Sequence, residues 1–177
     1  MKTKTLIFII SISFFPFLSG CSLFEPDDAW LKPIPPSNTL PPITQTGANT
    51  FGCKVNGQVW LPTTVWVDYH NGGMVISAFS EQRYSARSAV VITISEFAAF
   101  KPGNYELSTN TSYISKGSYG SGKDMYYTDS IYLGSLTINR LDSVNSILSG
   151  TFSFDAKHVS TGEVIHVTEG RFDNKYN

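Results

Sequence analysis

Cysteine is nearly absent: the 177 residues hold two, Cys21 and Cys53. Two isolated thiols supply neither a disulfide framework nor a cysteine-rich structural zinc site or redox pair. Cys53 sits in an alternating apolar stretch and reads as a small buried apolar residue. Positive charge is scarce as well, with 13 Lys and Arg against 14 Asp and Glu and no basic stripe anywhere. Nucleic acid is thereby excluded as a partner, because phosphate binding needs clustered Lys and Arg. Catalytic signatures are missing too. No G-x-S-x-G occurs. SYGSGKD carries a G-x-G-K but neither the P-loop spacing nor a following helix, so it reads as a flexible loop. No cofactor is implied.

The amino terminus is more explicit. Lys2 and Lys4 precede the uncharged run LIFIISISFFPFLSG, the form of a secretory signal. The run is broken by Pro16 and stops at Cys21, short of the ~20 apolar residues of a spanning helix. Leu18-Ser19-Gly20-Cys21 resembles a bacterial lipobox. That resemblance implies cleavage before Cys21, a lipidated thiol, and anchoring at roughly 0.8 kcal/mol per buried methylene. The expected organisation is a signal peptide over residues 1–20, a tether over 21–48 and one domain over 49–177. Removing residues 1–20 takes Lys2 and Lys4 from the 13 basic residues and none of the 14 acids, which leaves a net charge of −3.

Six of the nine prolines fall between Pro26 and Pro42. Proline removes backbone donors and disfavours helix in the residue before it, so this segment reads as an extended spacer. Glu25, Asp27 and Asp28 follow the anchor; they resemble surface-export signals of Bacteroidota lipoproteins, with a solvated linker as the equal alternative.

From Asn49 onward the dominant period is two, not 3.6. In TFGCKV, Phe51, Cys53 and Val55 alternate with polar or small residues. Asn56-Gly57 then predicts a hairpin, since both turn positions need positive φ. TVWVDY, GMVISAFS and AVVITIS are rich in β-branched and aromatic residues, and the last two read as central strands. NYELS, DSIYLG, SLTINRL and ILSGTFSF complete the series, with residues 80–89 as a polar connecting loop. Many short strands with Gly, Asn and Pro punctuation predict an all-β domain, an antiparallel β-sandwich, with a lipocalin-like closed barrel as the alternative.

The C-terminal hairpin permits a register. Phe154 is predicted opposite Val167, Asp155 opposite His166, Ala156 opposite Ile165 and Ser153 opposite Thr168. The inward residues Ile165 and Val167 are odd, whereas Phe172 and Tyr176 are even. A regular strand cannot bury both sets, because a slip of one residue reverses every side chain. A β-bulge at Glu169-Gly170, with Gly170 at positive φ, resolves the conflict. Arg171, Asp173 and Lys175 then face water.

In this register His158 and Glu163 lie on one face, and His166 lies with Asp155 on the other; His70 is remote. No metal site and no catalytic residue is assigned. The expected function is that of a membrane-anchored, non-catalytic binding or structural module; an envelope hydrolase with its site on the C-terminal hairpin and a small-ligand-binding barrel are the alternatives. The candidate binding residues are Tyr113, Tyr119, Tyr126, Tyr127 and Tyr132, which lie among Gly and Ser. Tyrosine supplies rigid amphipathic area, and aromatic faces stack on sugars. A glycan or an envelope protein is the partner class this composition suggests.

The segments TFGCKVNGQVW and GTFSF…GEVIHVTEGRFDNKY together resemble uncharacterised lipoproteins of Bacteroidota. The resemblance implies a lipobox, a proline-rich tether, an all-β domain and an outer-membrane location, and it implies no particular activity.

Overall fold

The structure, a computed structural model, describes residues 39–70, 73–80, 87–95, 100–109 and 114–176. Cys21 and the lipobox, most of the tether, residues 81–86 of the polar connection, and Tyr113 lie outside the described residues.

Eleven strands follow one another, with no helix among the described residues. They are β1 (Thr50–Val55), β2 (Gln58–Trp60), β3 (Thr64–His70), β4 (Gly73–Ser80), β5 (Ser88–Ser95) and β6 (Gly103–Leu107). After these come β7 (Ile114–Ser121), β8 (Asp124–Tyr127), β9 (Gly134–Asp142), β10 (Ile147–His158) and β11 (Val164–Lys175). All ladders are antiparallel. The sheet order is β2-β1-β11-β10-β8-β7-β5-β4-β3, with β9 and β6 branching from β10.

The branch arises within β10. Residues 147–154 pair with β9, whereas Lys157 and His158 pair with β8. At the fork a Cβ on Gly134 would lie 2.3 Å from the Cβ of Phe154, so only glycine lets β9 approach here. The long sheet folds over into a β-sandwich. Tyr69 of β3 meets the ring of Tyr176, just beyond β11, at 5.2 Å, and Phe154 of β10 lies against Gly117 of β7. Met74, Ile76, Ile92 and Ile94 supply one inner face, and Leu136, Ile138, Leu148 and Val167 the other; all are buried. Burying each such side chain contributes roughly 1.5–3 kcal/mol.

The alternative of a closed barrel does not hold, because β2 and β3 remain the two ends of the sheet. The reason is local. β2 stops after three residues, and Pro62 beyond it has no N–H to donate to a ladder. The indole N–H of Trp60 bonds Ser88 Oγ instead, at 2.8 Å.

The predicted hairpin forms at Asn56-Gly57, with φ of 48° and 81° and Val55 paired to Gln58. β4 and β5 are internal strands of the path, as their two-sided apolarity predicts. The C-terminal register places Phe154 opposite Val167, Asp155 opposite His166 and Ala156 opposite Ile165. The bulge also forms. Phe152 pairs with Gly170, and Gly52 with Arg171, while Phe154 pairs with Val167 and Lys54 with Thr168. β11 therefore carries one extra residue against both of its neighbours.

Four details depart from the sequence-based expectation. The positive φ belongs to Glu169 (52°), not Gly170. Gly170 is needed for space instead, since a Cβ there would lie 2.5 Å from the Phe152 ring. Ser153 falls within the register shift and has no Thr168 partner. DSIYLG is a turn, because Asp129 Oδ1 accepts the N–H groups of Ile131 (2.7 Å) and Tyr132 (2.8 Å) and competes with strand pairing. SYGSGKD is no loop but the β7–β8 hairpin, turning at Gly122 with φ of 64°.

The largest departure is Asp173. Predicted to face water, it is 1% exposed. Residues 44–48, at the end of the predicted tether, lie over it. Oδ2 accepts Thr44 Oγ1 (2.7 Å) and the N–H groups of Thr46 (2.8 Å) and Ala48 (3.2 Å), and Oδ1 accepts Gly47 N–H (2.8 Å). Successive backbone N–H groups thus form an anion-holding concavity. Burial by itself would raise the Asp173 pKa; the bonds from Thr44, Thr46, Gly47 and Ala48 outweigh it and hold the carboxyl below its usual range.

Candidate functional site

Strand alternation sends Val65, Val67 and Tyr69 of β3 to the core side and leaves Trp66 on the outer face. The register carries that outer face across the layer. Phe79 of β4 pairs with Ala89 of β5, Ala89 with Gly120 of β7, and Gly120 with Met125 of β8. Large apolar side chains stand at the two ends, and Ala89 and Gly120 form a low floor between them. The result is a groove of about 470 Å³. Trp66 is 68% exposed, Phe79 36% and Met125 37%. The Trp66 and Phe79 ring centroids lie 6.1 Å apart at 69°, an edge-to-face contact that fixes the indole and leaves it open to solvent. Thr64, Ser88 and Arg87 add polar groups to the lining, and Arg87 is the one charged residue among those described.

The tyrosines proposed from sequence divide between two faces. Tyr119 and Tyr126 are cross-strand partners on the inner side, with ring centroids 6.1 Å apart. Tyr126 donates its hydroxyl to Glu163 Oε2 at 3.3 Å, and its ring meets His158 edge-on at 5.0 Å. Burial, then the Glu163 carboxylate, raises the Tyr126 pKa. Tyr127 and Tyr132 each lie beneath an ammonium group: Lys116 Nζ is 5.6 Å from the first ring centre and Lys157 Nζ 5.8 Å from the second. Each cation–π contact occupies one face of its ring.

The two histidines of the hairpin are separated, each beside its own carboxylate. His158 is buried, and its Nδ1 accepts the N–H groups of Ser160 (3.2 Å) and Thr161 (3.0 Å). Its proton therefore sits on Nε2, 3.4 Å from Asp124 Oδ1, and the ring serves to cap the β10–β11 turn. His166 Nδ1 lies 2.7 Å from Asp155 Oδ1 on the exposed face, as the register predicts. Among the described residues, no three His, Cys, Asp or Glu side chains are grouped to hold a metal ion.

The family model described as Domain of unknown function (DUF6252) matches residues 48–174. The chain belongs to this family. The match runs from the residue whose N–H reaches Asp173 almost to the end of β11, so it takes in every strand of the sandwich. No curated protein and no solved structure matches the chain.

Sequence reasoning passed over Trp66, Phe79 and Met125. The signal was available: once Val65 and Val67 are placed inward, alternation leaves a tryptophan on the solvent side, where its apolar area has no structural use. The density of tyrosine marks β7 and β8 instead.

Proposed function

We propose that this protein is a cell-envelope lipoprotein of the Bacteroidota type, anchored in the outer membrane through Cys21 and carrying its DUF6252 domain as a non-catalytic binding module. The lipobox, the apolar leader and the proline-rich spacer support the anchor. The carrying observation for binding is the convergence of Trp66, Phe79 and Met125 on one outward groove. A protein surface rarely leaves a large aromatic ring exposed beside other apolar side chains unless something covers it. The tyrosines are secondary in this reading, because Tyr119 and Tyr126 brace the inner face and Tyr127 and Tyr132 already hold lysines.

The test is affinity capture from the native envelope with the full chain and with its Trp66→Ala variant. The material retained by the full chain should be lost from the variant and kept by a Tyr132→Ala control. Equal retention by all three would remove the groove from the account.

A further inference from the structure

We propose that the Trp66 groove takes a neutral oligosaccharide of hexopyranose units, lying across the strands from Trp66 toward Met125. This rests on the reading of the groove as a binding site and adds the chemistry of what fills it.

Three observations select the ligand. The first is the ring. Trp66 presents an open aromatic face, already oriented by the edge contact with Phe79. The C–H bonds on one face of a pyranose carry slight positive charge and pack against the negative face of an indole. A pre-oriented ring spends little rotamer entropy in doing so. The second is shape. The groove crosses five adjacent strands, β3, β4, β5, β7 and β8, with Ala89 and Gly120 as its floor. Four interstrand spacings of ~4.8 Å give a trench of ~19 Å, long enough for several linked sugar rings. Its volume of about 470 Å³ suits a small ligand, whereas a stable protein partner covers ~800 Å² of each surface. The third is charge. Among the described residues the lining holds no acid and one base, Arg87, beside apolar side chains and the hydroxyls of Thr64 and Ser88. A neutral ligand that keeps most of its hydroxyls toward water fits that lining. An extended peptide crossing the strands would bring a full row of backbone N–H and C=O groups over Ala89 and Gly120, which offer no side-chain partner.

The full chain, purified in detergent, is titrated calorimetrically with cellohexaose, maltohexaose and mannohexaose. At least one should bind. Trp66→Ala should weaken that binding by roughly tenfold or more, with Trp66→Phe intermediate. Ala89→Trp, which fills the floor while leaving Trp66 in place, should also weaken it. Both positions are on the outer face, and an unchanged melting temperature verifies that each variant folds. Binding of none of the three sugars, or binding indifferent to both Trp66→Ala and Ala89→Trp, overturns the proposal. If no sugar binds but envelope capture still depends on Trp66, the groove is a protein-binding site; the glycan inference falls and the binding module stands. If both tests fail, both readings fall.

Discussion

The ring of Phe152 fills the space that a Cβ on Gly170 would need, 2.5 Å from where that atom would stand. The neighbouring residue, Glu169, carries the left-handed backbone of the bulge and reaches Lys54 Nζ at 2.6 Å. The two positions therefore answer differently to substitution. Gly170→Ala should lose about 1–3 kcal/mol through overpacking against Phe152. Glu169→Gly should leave the urea midpoint close to that of the parent chain, since relief at positive φ offsets the lost contact with Lys54. Two unfolding curves decide this; equal loss at both positions would mean that the bulge is held by the Glu169 side chain.

Asp173 should make the docking of residues 44–48 sensitive to acid. Its pKa is lower in the folded chain than in the unfolded one. Its stabilisation is therefore complete above the unfolded value of ~3.9 and is lost as pH falls through the lower folded value. Asp173→Ala should cost about 2–3 kcal/mol at neutral pH, because several buried N–H donors lose their acceptor. It should also flatten the decline of stability below pH ~4. Urea midpoints measured from neutral to acidic pH test both statements. An Asp173→Ala curve parallel to that of the parent chain would show that the acid dependence originates elsewhere.

The sandwich and the C-terminal register were legible because they rest on alternation, which a single sequence displays directly. Asp155 opposite His166 follows from counting, and so does the need for an extra residue before Phe172. What the sequence concealed depends on partners distant along the chain. Asp173 lies between the apolar Phe172 and the polar Asn174, and nothing local says that Thr44 and Gly47 will cover it. DSIYLG alternates like a strand, yet the Asp129 carboxylate captures its backbone. The candidate groove is assembled from β3, β4, β5, β7 and β8, so its floor at Ala89 and Gly120 exists only once the strand order is known.

Cys53 should be inert in the native protein. It is fully buried, and burial pushes its thiol up to about 12. Alkylation by iodoacetamide requires the thiolate. At pH 8 in water Cys53 should remain unmodified, and in denaturing urea it should react completely, as mass spectrometry would record. Rapid labelling without denaturant would place β1 in a less protected setting.

Cys21 carries the membrane prediction. Radiolabelled palmitate should appear on the chain in its native cells and vanish in Cys21→Ser, which should also leave the membrane pellet. A Cys21→Ser protein that still sediments with membranes would refute anchoring through this residue.

The hold of Asp173 on residues 44–48 also has a mechanical consequence. Force applied to the chain ahead of Thr39 reaches this carboxylate before it reaches Thr50 and the β1–β2 hairpin. β11 is paired along both sides, by β1 and β10, so such a load is spread into two ladders rather than unzipping one from its end. A module tugged through its leash would thus resist as a sheared block, and its outward groove would keep its shape under tension.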